Sequence, residues 1–313
     1  MLFENLVLFA LSSIILVQAA SYSVKFISKI AEYLHFAPFI ASFVIAGLIS
    51  TSPELLIGIN SALQGNSSLG FATIIGSNVI DLTLIIGLVA LIGGTIEVKK
   101  RATRDNMLFV GVTALPILLI LDSELSRIDG LLLIGVCAIY LFEMIKSEKT
   151  LRSHGTIEHK GIAKNLAMFA VSMGVLFLSA RYVVEFAQAL STDLNVPLVL
   201  TGLFLVAFGT CLPELTFSLK AVLSKHKTTA LGDILGCVAI DATFTIGIIA
   251  LISPIKENLA IFISSSLFMI FAALIISTFI ESGKKITRAQ SLTLFALYGV
   301  FIIIQLLLNG GIG

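Results

Sequence analysis

One acidic motif occurs twice in the chain, at a constant separation of 160 residues. The first copy reads STSPEL at 50–55 and continues with GSNVID at 76–81. The second copy reads TCLPEL at 210–215 and continues with GCVAID at 236–241. Proline, glutamate, glycine and aspartate all recur at the same offset, which indicates an internal duplication. Any fold of this chain must therefore accommodate two related halves.

The composition places both copies in a membrane. Of the 313 residues, 57% are hydrophobic and 12% are charged, and the mean hydropathy is +1.05. Soluble domains carry about 25% charged residues, and a protein core cannot absorb this much apolar surface, so we expect a lipid bilayer as the solvent. The net charge of +1 argues against nucleic acid as a partner. The three cysteines lie in apolar runs and predict no disulfide framework.

Apolar runs long enough to cross the hydrocarbon layer, about 17–25 residues, predict ten membrane-spanning helices. The first is interpreted as a helix rather than a signal peptide, because its start contains Glu4 and neither Lys nor Arg. The fourth run is short and contains Pro116, which predicts a helix that is tilted or packed beside a longer neighbour. The predicted runs are 4–24, 37–60, 69–94, 106–121, 128–145, 163–189, 197–222, 229–252, 258–280 and 290–309.

Lysine and arginine residues predict the orientation. Of the 20, all but three lie in odd-numbered connections between the predicted helices, which places those connections in the cytoplasm and both termini outside. Five helices for each motif copy is an odd number, so the second copy enters the membrane inverted relative to the first. The predicted fold class is an all-α membrane protein, with ten transmembrane helices arranged as two inverted five-helix repeats.

The predicted domains follow from this arrangement. Residues 1–146 form the first repeat, with its motif region at 37–94, and residues 163–313 form the second, with its motif region at 197–252. Residues 147–162 form a cytoplasmic linker that is too short for a soluble domain. Inverted repeats are a transporter architecture, in which the substrate site lies near the bilayer midplane where the repeats meet.

Four acids at matched positions are the candidate ligands. Glu54, Glu214, Asp81 and Asp241 lie inside predicted membrane helices, where a carboxylate is costly and by default marks an ion or proton path. A structural hydrogen-bonding role is the alternative for any single one of them. Four acids at matched positions favour a shared site.

Further oxygen ligands lie close to these acids. Hydroxyl side chains precede Glu54, Glu214 and Asp81 by three or four residues and so share their helix face. Pro53 and Pro213 cannot donate to the carbonyl four residues earlier, which predicts free carbonyl oxygens beside each glutamate. Carboxylates, hydroxyls and carbonyls are hard ligands that suit Ca²⁺ or Na⁺. We predict no catalytic residue and no cofactor. The candidate hydroxyl ligands are Ser50, Thr51, Ser77 and Thr210.

The paired motifs resemble the alpha repeats of the calcium/cation antiporter superfamily, especially its sodium/calcium exchanger family. That family shows G-T-S-x-P-E in one helix and G-S-N-x-x-[N/D] in the next, in both repeats. The resemblance implies that Glu54 and Glu214 bind calcium, and that the hydroxyls named above contribute oxygens to sodium or calcium. It also implies alternating access, in which the first and sixth helices move across a core of helices two, three, seven and eight.

The chain departs from that family pattern at positions that bear on ion choice. Cys211 and Cys237 stand where the motif has serines, and a thiol is a weak ligand for a hard cation. Asp81 and Asp241 are both acids, whereas the family often pairs one Asn with one Asp. Four clustered carboxylates would repel one another, so we expect one or both aspartates to be protonated in some states.

The function expected first is secondary antiport of Ca²⁺ against Na⁺ in a prokaryotic cell membrane, without enzymatic activity and without an obligatory protein partner. Exchange of Ca²⁺ for H⁺, or exchange that involves K⁺, is the alternative favoured by the cysteines and the paired aspartates. An intramembrane aspartyl protease also needs two aspartates on separate helices, but neither copy contains its Gly-x-Gly-Asp motif. A passive cation channel is a further alternative, which only flux against a gradient would separate.

Overall fold

The computed structural model of the chain describes most of both halves. It covers residues 2–33, 50–97, 102–147, 162–223, 227–256, 259–283 and 285–309. Part of the first predicted motif region, 37–49, and nearly all of the predicted linker lie outside the described residues.

Helices make up nearly all of the described residues, and we number them α1 to α10 in chain order. Two-residue strands, β1 (Ile96–Glu97) and β2 (Lys285–Ile286), form one antiparallel ladder. A short 3₁₀ turn, Ile120–Asp122, follows α4. The uninterrupted helices are α1 Leu2–Tyr33, α2 Ser52–Leu63, α4 Ala102–Leu119, α5 Arg127–Ser147, α6 Ile162–Leu194, α9 Leu259–Gly283 and α10 Arg288–Asn309.

Three helices are composite, and their internal boundaries matter for the site. Each contains a π-helical turn, in which the backbone hydrogen bonds span five residues instead of four. Helix α3 comprises Ser67–Ile80, the π turn Asp81–Ile85 and Ile86–Gly93; α7 comprises Leu198–Leu200, the π turn Thr201–Val206, Ala207–Thr210 and Leu212–Leu223; α8 comprises Lys227–Ile240, the π turn Asp241–Thr245 and Ile246–Ile252.

Seven helices within the described residues are long and apolar enough to cross a membrane. The fourth predicted run is represented by a shorter apolar helix, Met107–Asp122, and the ten-span plan in two inverted repeats stays a prediction. The chain is a mostly helical, multi-pass membrane protein. The seven spans are Leu2–Ser23, Ser67–Gly93, Ile162–Leu194, Leu198–Leu223, Ala230–Ile252, Phe262–Gly283 and Arg288–Leu308.

Helices α3 and α8 lie at the centre of the molecule. In the most apolar 18-residue stretch of each helix, 83% of the residues of α3 and 78% of those of α8 are buried, compared with 22% for α1 and for α10. A helix with apolar residues on every side is usually buried, and α3 and α8 are of this kind apart from their few polar residues. Large apolar side chains on α1, such as Leu11 and Ile14, are about half exposed, as expected for a surface that faces lipid.

Within the described residues, two separate hydrophobic clusters hold the helices together. The larger one joins side chains of α3, α4, α5, α7, α8, α9 and α10. The smaller one is formed mainly by α1, α2 and α6, with Leu69 of α3 and Val206 of α7. Helices α1 and α6 make far more contacts with each other than with any other helix. They therefore form a pair that packs beside the main core.

Candidate cation site between the two motif copies

Both Pro-Glu motifs follow an interruption of their helix. The helical hydrogen-bond pattern is interrupted at Thr51 and at Cys211, two residues before Pro53 and Pro213. Because proline cannot donate the backbone hydrogen bond to the residue four positions earlier, a helix that reaches it is broken or kinked there. The following glutamate thus lies in the first turn of a new helical segment, where the unsatisfied N–H groups and the helix dipole favour a negative charge.

The two aspartates lie at equivalent irregularities of α3 and α8. Asp81 and Asp241 each begin a π-helical turn, a rare feature that occurs mostly at functional sites. Two residues further on, Thr83 and Thr243 donate to the backbone carbonyls four residues earlier, a hydrogen bond that bends helices. These turns were not predicted, because a π turn has no recognised sequence signal.

All eight candidate ligands are buried. The four carboxylate residues are each 2% exposed, so each depends on the protein interior for its interactions. The hydroxyl residues are buried as well, and they are Ser50, Thr51, Ser77 and Thr210.

Contacts between the two motif copies bring these residues together. The Thr210 hydroxyl lies within hydrogen-bonding reach of the Glu54 carboxylate. The Ser50 hydroxyl lies 2.8 Å from the Cys237 thiol. The Cys211 thiol lies 3.5 Å from the Ser77 carbonyl oxygen, to which it donates. Each contact joins one copy to the other, so the candidate site lies between the two halves.

The carboxylates are close enough for their charges to interact. Glu54 interacts electrostatically with Asp81, Asp241 and Glu214. Among the residues that the structure describes, no group of three or more His, Cys, Asp or Glu side chains is arranged to bind one ion. A cation here would therefore take part of its coordination from hydroxyl and carbonyl oxygens, which are ligands suited to Ca²⁺.

Among the described residues, three of the four candidate carboxylates each have one buried oxygen without a hydrogen-bond partner. These oxygens are Oε2 of Glu54, Oε2 of Glu214 and Oδ1 of Asp81. Native proteins pair nearly all buried polar atoms, and an unpaired carboxylate oxygen in the interior is costly. A cation would supply the missing partner, so these atoms fit a hard metal ion.

The aspartates of the two copies have different hydrogen-bond partners. Oδ1 of Asp241 accepts a hydrogen bond of 2.9 Å from the Thr245 hydroxyl. The equivalent residue in the first copy is Ile85, which has no donor. The Asp81 carboxylate instead lies within reach of the Cys211 thiol. Because only Asp81 has an unpartnered oxygen, the two aspartates are not interchangeable.

Sequence reasoning missed one acid near the site. Asp233 lies in α8, eight residues before Asp241, and its Oδ2 is buried without a hydrogen-bond partner. The signal was present, since Asp233 is an acidic residue inside the predicted run 229–252. A comparison of matched acids does not find it, because its equivalent in the first copy is Thr73.

Comparison with known proteins agrees with the predicted family. The family described as "Sodium/calcium exchanger protein" matches residues 4–146 and 164–307. The sodium/calcium exchanger MaX1 of Methanosarcina acetivorans is 23% identical, over 97% of this chain and 99% of that protein.

Solved structures show the same fold. The sodium-calcium exchanger NCX_Mj, soaked with 10 mM Na⁺ and zero Ca²⁺, superposes with a TM-score of 0.71 at 22% identity, covering 97% of this chain and 99% of the other. The H⁺/Ca²⁺ exchanger CAX superposes with a TM-score of 0.80 at 17% identity, covering 96% and 86%.

Proposed function

The chain belongs to the sodium/calcium exchanger protein family, and on that premise we propose that it is a secondary antiporter that exchanges Ca²⁺ for Na⁺ by alternating access. The family consists of exchangers, so the prediction that the chain is not an enzyme is confirmed. The two solved structures are those of a sodium-calcium exchanger and an H⁺/Ca²⁺ exchanger, and cation antiport is the function that these two proteins share.

The observation that carries the proposal is the set of unpartnered carboxylate oxygens between the two motif copies. Glu54 and Glu214 come from opposite halves, and each has a buried Oε2 with no hydrogen-bond partner. A Ca²⁺ ion between them would be held by both halves. Hydroxyls and carbonyls from the helix interruptions would complete six to eight oxygen ligands.

Competition for shared ligands would couple the two ions. In the proposal, Na⁺ uses the same glutamates together with the flanking hydroxyls Ser50, Thr51, Ser77 and Thr210. Asp81 and Asp241 add negative charge beside this site. Calcium and sodium cannot occupy the same oxygens together, so binding of one releases the other. The transported ions are substrates, and no cofactor is proposed.

Ten helices in two inverted five-helix repeats, 1–146 and 163–313, would provide the alternating access. Matching helix boundaries support this arrangement: α2 begins 160 residues before Leu212–Leu223, and the π turn at Asp81 begins 160 residues before the one at Asp241. Residues 147–162 would be the cytoplasmic linker, with both termini outside a cell membrane, as the Lys and Arg distribution favours.

Exchange of Ca²⁺ for H⁺ is a second candidate. Buried thiols at Cys211 and Cys237 stand at two positions where the sodium/calcium exchanger motif has hydroxyls, and a thiol is a poor sodium ligand. The likeness to the H⁺/Ca²⁺ exchanger CAX also favours this candidate. Calcium flux driven by a pH gradient in the absence of sodium would support it over sodium exchange.

Calcium uptake into proteoliposomes tests both candidates. We expect uptake under an imposed sodium gradient, with a proton gradient as the comparison. Removing one partner of a buried charged interaction costs about 2–5 kcal/mol, so Glu54→Gln or Glu214→Gln is expected to lower uptake roughly thirtyfold or more. Glu143→Gln, at an exposed position on α5, is the control. Undiminished uptake by either variant of the site would contradict the proposal.

A further inference from the structure

A fifth acid faces the candidate site from α8. Asp233 precedes Cys237 by four residues and Asp241 by eight, so all three lie along one face of the helix. The Cys237 thiol contacts Ser50 of the first motif copy, which shows that this face points toward the site. Asp233 therefore lies one helical turn further along the same face, on the side of the α7–α8 connection.

One buried oxygen of the Asp233 carboxylate has no partner among the residues that the structure describes. This oxygen, Oδ2, makes no hydrogen bond, and no ion pair involving Asp233 occurs among the described residues. The carboxylate interacts electrostatically with Asp81 and Glu214. A negative charge placed beside other negative charges destabilises the protein unless a cation is shared.

A second unpartnered oxygen lies on the facing helix. Ser218 follows Glu214 by one turn on α7, is fully buried, and its Oγ has no hydrogen-bond partner. Helices α7 and α8 are consecutive and pack against each other. Ser218 and Asp233 are about equally far from the connection between them, so they lie at the same level of this helix pair.

The equivalent positions of the α2–α3 pair have neither an acid nor an unpartnered hydroxyl. Thr73 corresponds to Asp233, and its hydroxyl donates to the Leu69 carbonyl at 2.8 Å. Gly58 corresponds to Ser218, and a Cβ there would lie 2.5 Å from Cδ1 of Ile249. The first copy therefore has no acid at this level, and the two sides of the site differ in charge.

We propose that Asp233 and Ser218 form an outer cation-binding site, which lies between the candidate site and the membrane face at the α7–α8 connection. Lys225 in that connection, with Lys220 and Lys227 beside it in sequence, predicts that this face is cytoplasmic. A divalent cation arriving from the cytoplasm meets Asp233 before it reaches Glu54 and Glu214. This inference rests on the exchanger function proposed above, and it makes the two membrane faces unequal in their affinity for Ca²⁺.

The test compares the two faces of the membrane. Calcium transport by the full chain is measured in inside-out vesicles, which present the cytoplasmic face, and in right-side-out vesicles. Asp233→Asn removes the charge at nearly constant volume. We expect the half-saturating Ca²⁺ concentration to rise about fivefold to tenfold at the cytoplasmic face and to stay within about twofold at the other face.

Matched variants separate charge from packing. Asp233→Glu keeps the charge and should keep the cytoplasmic affinity, whereas Asp233→Thr introduces the residue of the first copy and should repeat the effect of Asn. Thr73→Val is the control at the equivalent level and should leave both faces unchanged. An equal shift at both faces, or no shift at either, would overturn the inference while leaving the exchanger proposal intact. Absence of calcium transport by the unmodified protein would overturn both.

Discussion

The two thiols of the second motif copy bear directly on which cation the proposed site would bind. The Cys237 thiol contacts the Ser50 hydroxyl, and the Cys211 thiol lies between the Ser77 carbonyl and the Asp81 carboxylate. Both thiols therefore occupy places where an oxygen could ligate a cation. Sulfur is soft and prefers soft metals, while Na⁺ and Ca²⁺ prefer oxygen. The second copy thus offers fewer hard ligands than the first.

Replacing both cysteines by serine is expected to strengthen sodium binding. In the Cys211→Ser/Cys237→Ser variant two hydroxyls take the places of the thiols, so the half-saturating Na⁺ concentration for calcium release from proteoliposomes should fall about threefold to tenfold. If the unmodified chain exchanges H⁺, the variant should gain a dependence on sodium. Glu143→Gln, at an exposed position on α5, is the control. An unchanged sodium dependence in the double variant would show that these positions do not ligate sodium.

The interruption of α7 before Glu214 is an element that transport should require. In Pro213→Ala the backbone regains an N–H donor, which favours a continuous helix through Cys211. Proline is tolerated in the first turn of a helix, where Pro213 lies, so the thermal stability should change little. The transport rate should fall about tenfold as the carbonyls near Glu214 become engaged. Pro116→Ala is the matched control, because Pro116 lies inside α4, outside both motif copies. Transport by Pro213→Ala at the unmodified rate would contradict this role of the break.

Close packing of α3 against α7 depends on Gly76. A Cβ at this position would overlap the carbonyl oxygen of Leu203 and lie 2.8 Å from Cβ of Ala207. Overpacking typically costs about 1–3 kcal/mol, so Gly76→Ala should lower the midpoint of thermal unfolding in detergent. Gly174→Ala, on α6, has open space around its Cβ position and should leave the midpoint unchanged or slightly higher, since alanine favours a helix. Equal midpoints for the two variants would argue against this packing.

The sequence predicts positions along the helices better than it predicts their irregularities. Predicted runs begin and end within a few residues of α3, α5 and α10, because an apolar stretch bounded by charges gives a clear signal. The acids that lie between the motif copies were predicted for the same reason, since a charge in an apolar run stands out. The π turns at Asp81 and Asp241 depend on packing between helices, and no local residue pattern predicts them.

Backbone and side-chain contacts between the two halves also connect the helices of the larger hydrophobic cluster. Strand β1, after α3, pairs with β2, before α10. Leu125 and Ile255 form an antiparallel bridge between the loops after α4 and α8, and Lys256 adds an exposed salt bridge to Glu124. The α1–α6 pair has its own cluster with α2, and no strand of the described residues joins it to the rest. This division favours movement of α1 and α6 as a unit.

Joining the α1–α6 pair to the core should stop transport. Gln188 of α6 and Gln64, directly after α2, lie 3.3 Å apart at the atoms Nε2 and Oε1. In Gln64→Cys/Gln188→Cys, a short bis-maleimide would join the pair to the core, and calcium uptake should fall to background if α1 and α6 move. Asn5 of α1 and Asp193 of α6 form a 2.7 Å hydrogen bond within the pair, so Asn5→Cys/Asp193→Cys treated with the same reagent should retain uptake. Because the three native cysteines are buried, the reagent should act at the introduced positions. Full uptake by the first cross-linked variant would mean that the core does not need to move against α1 and α6.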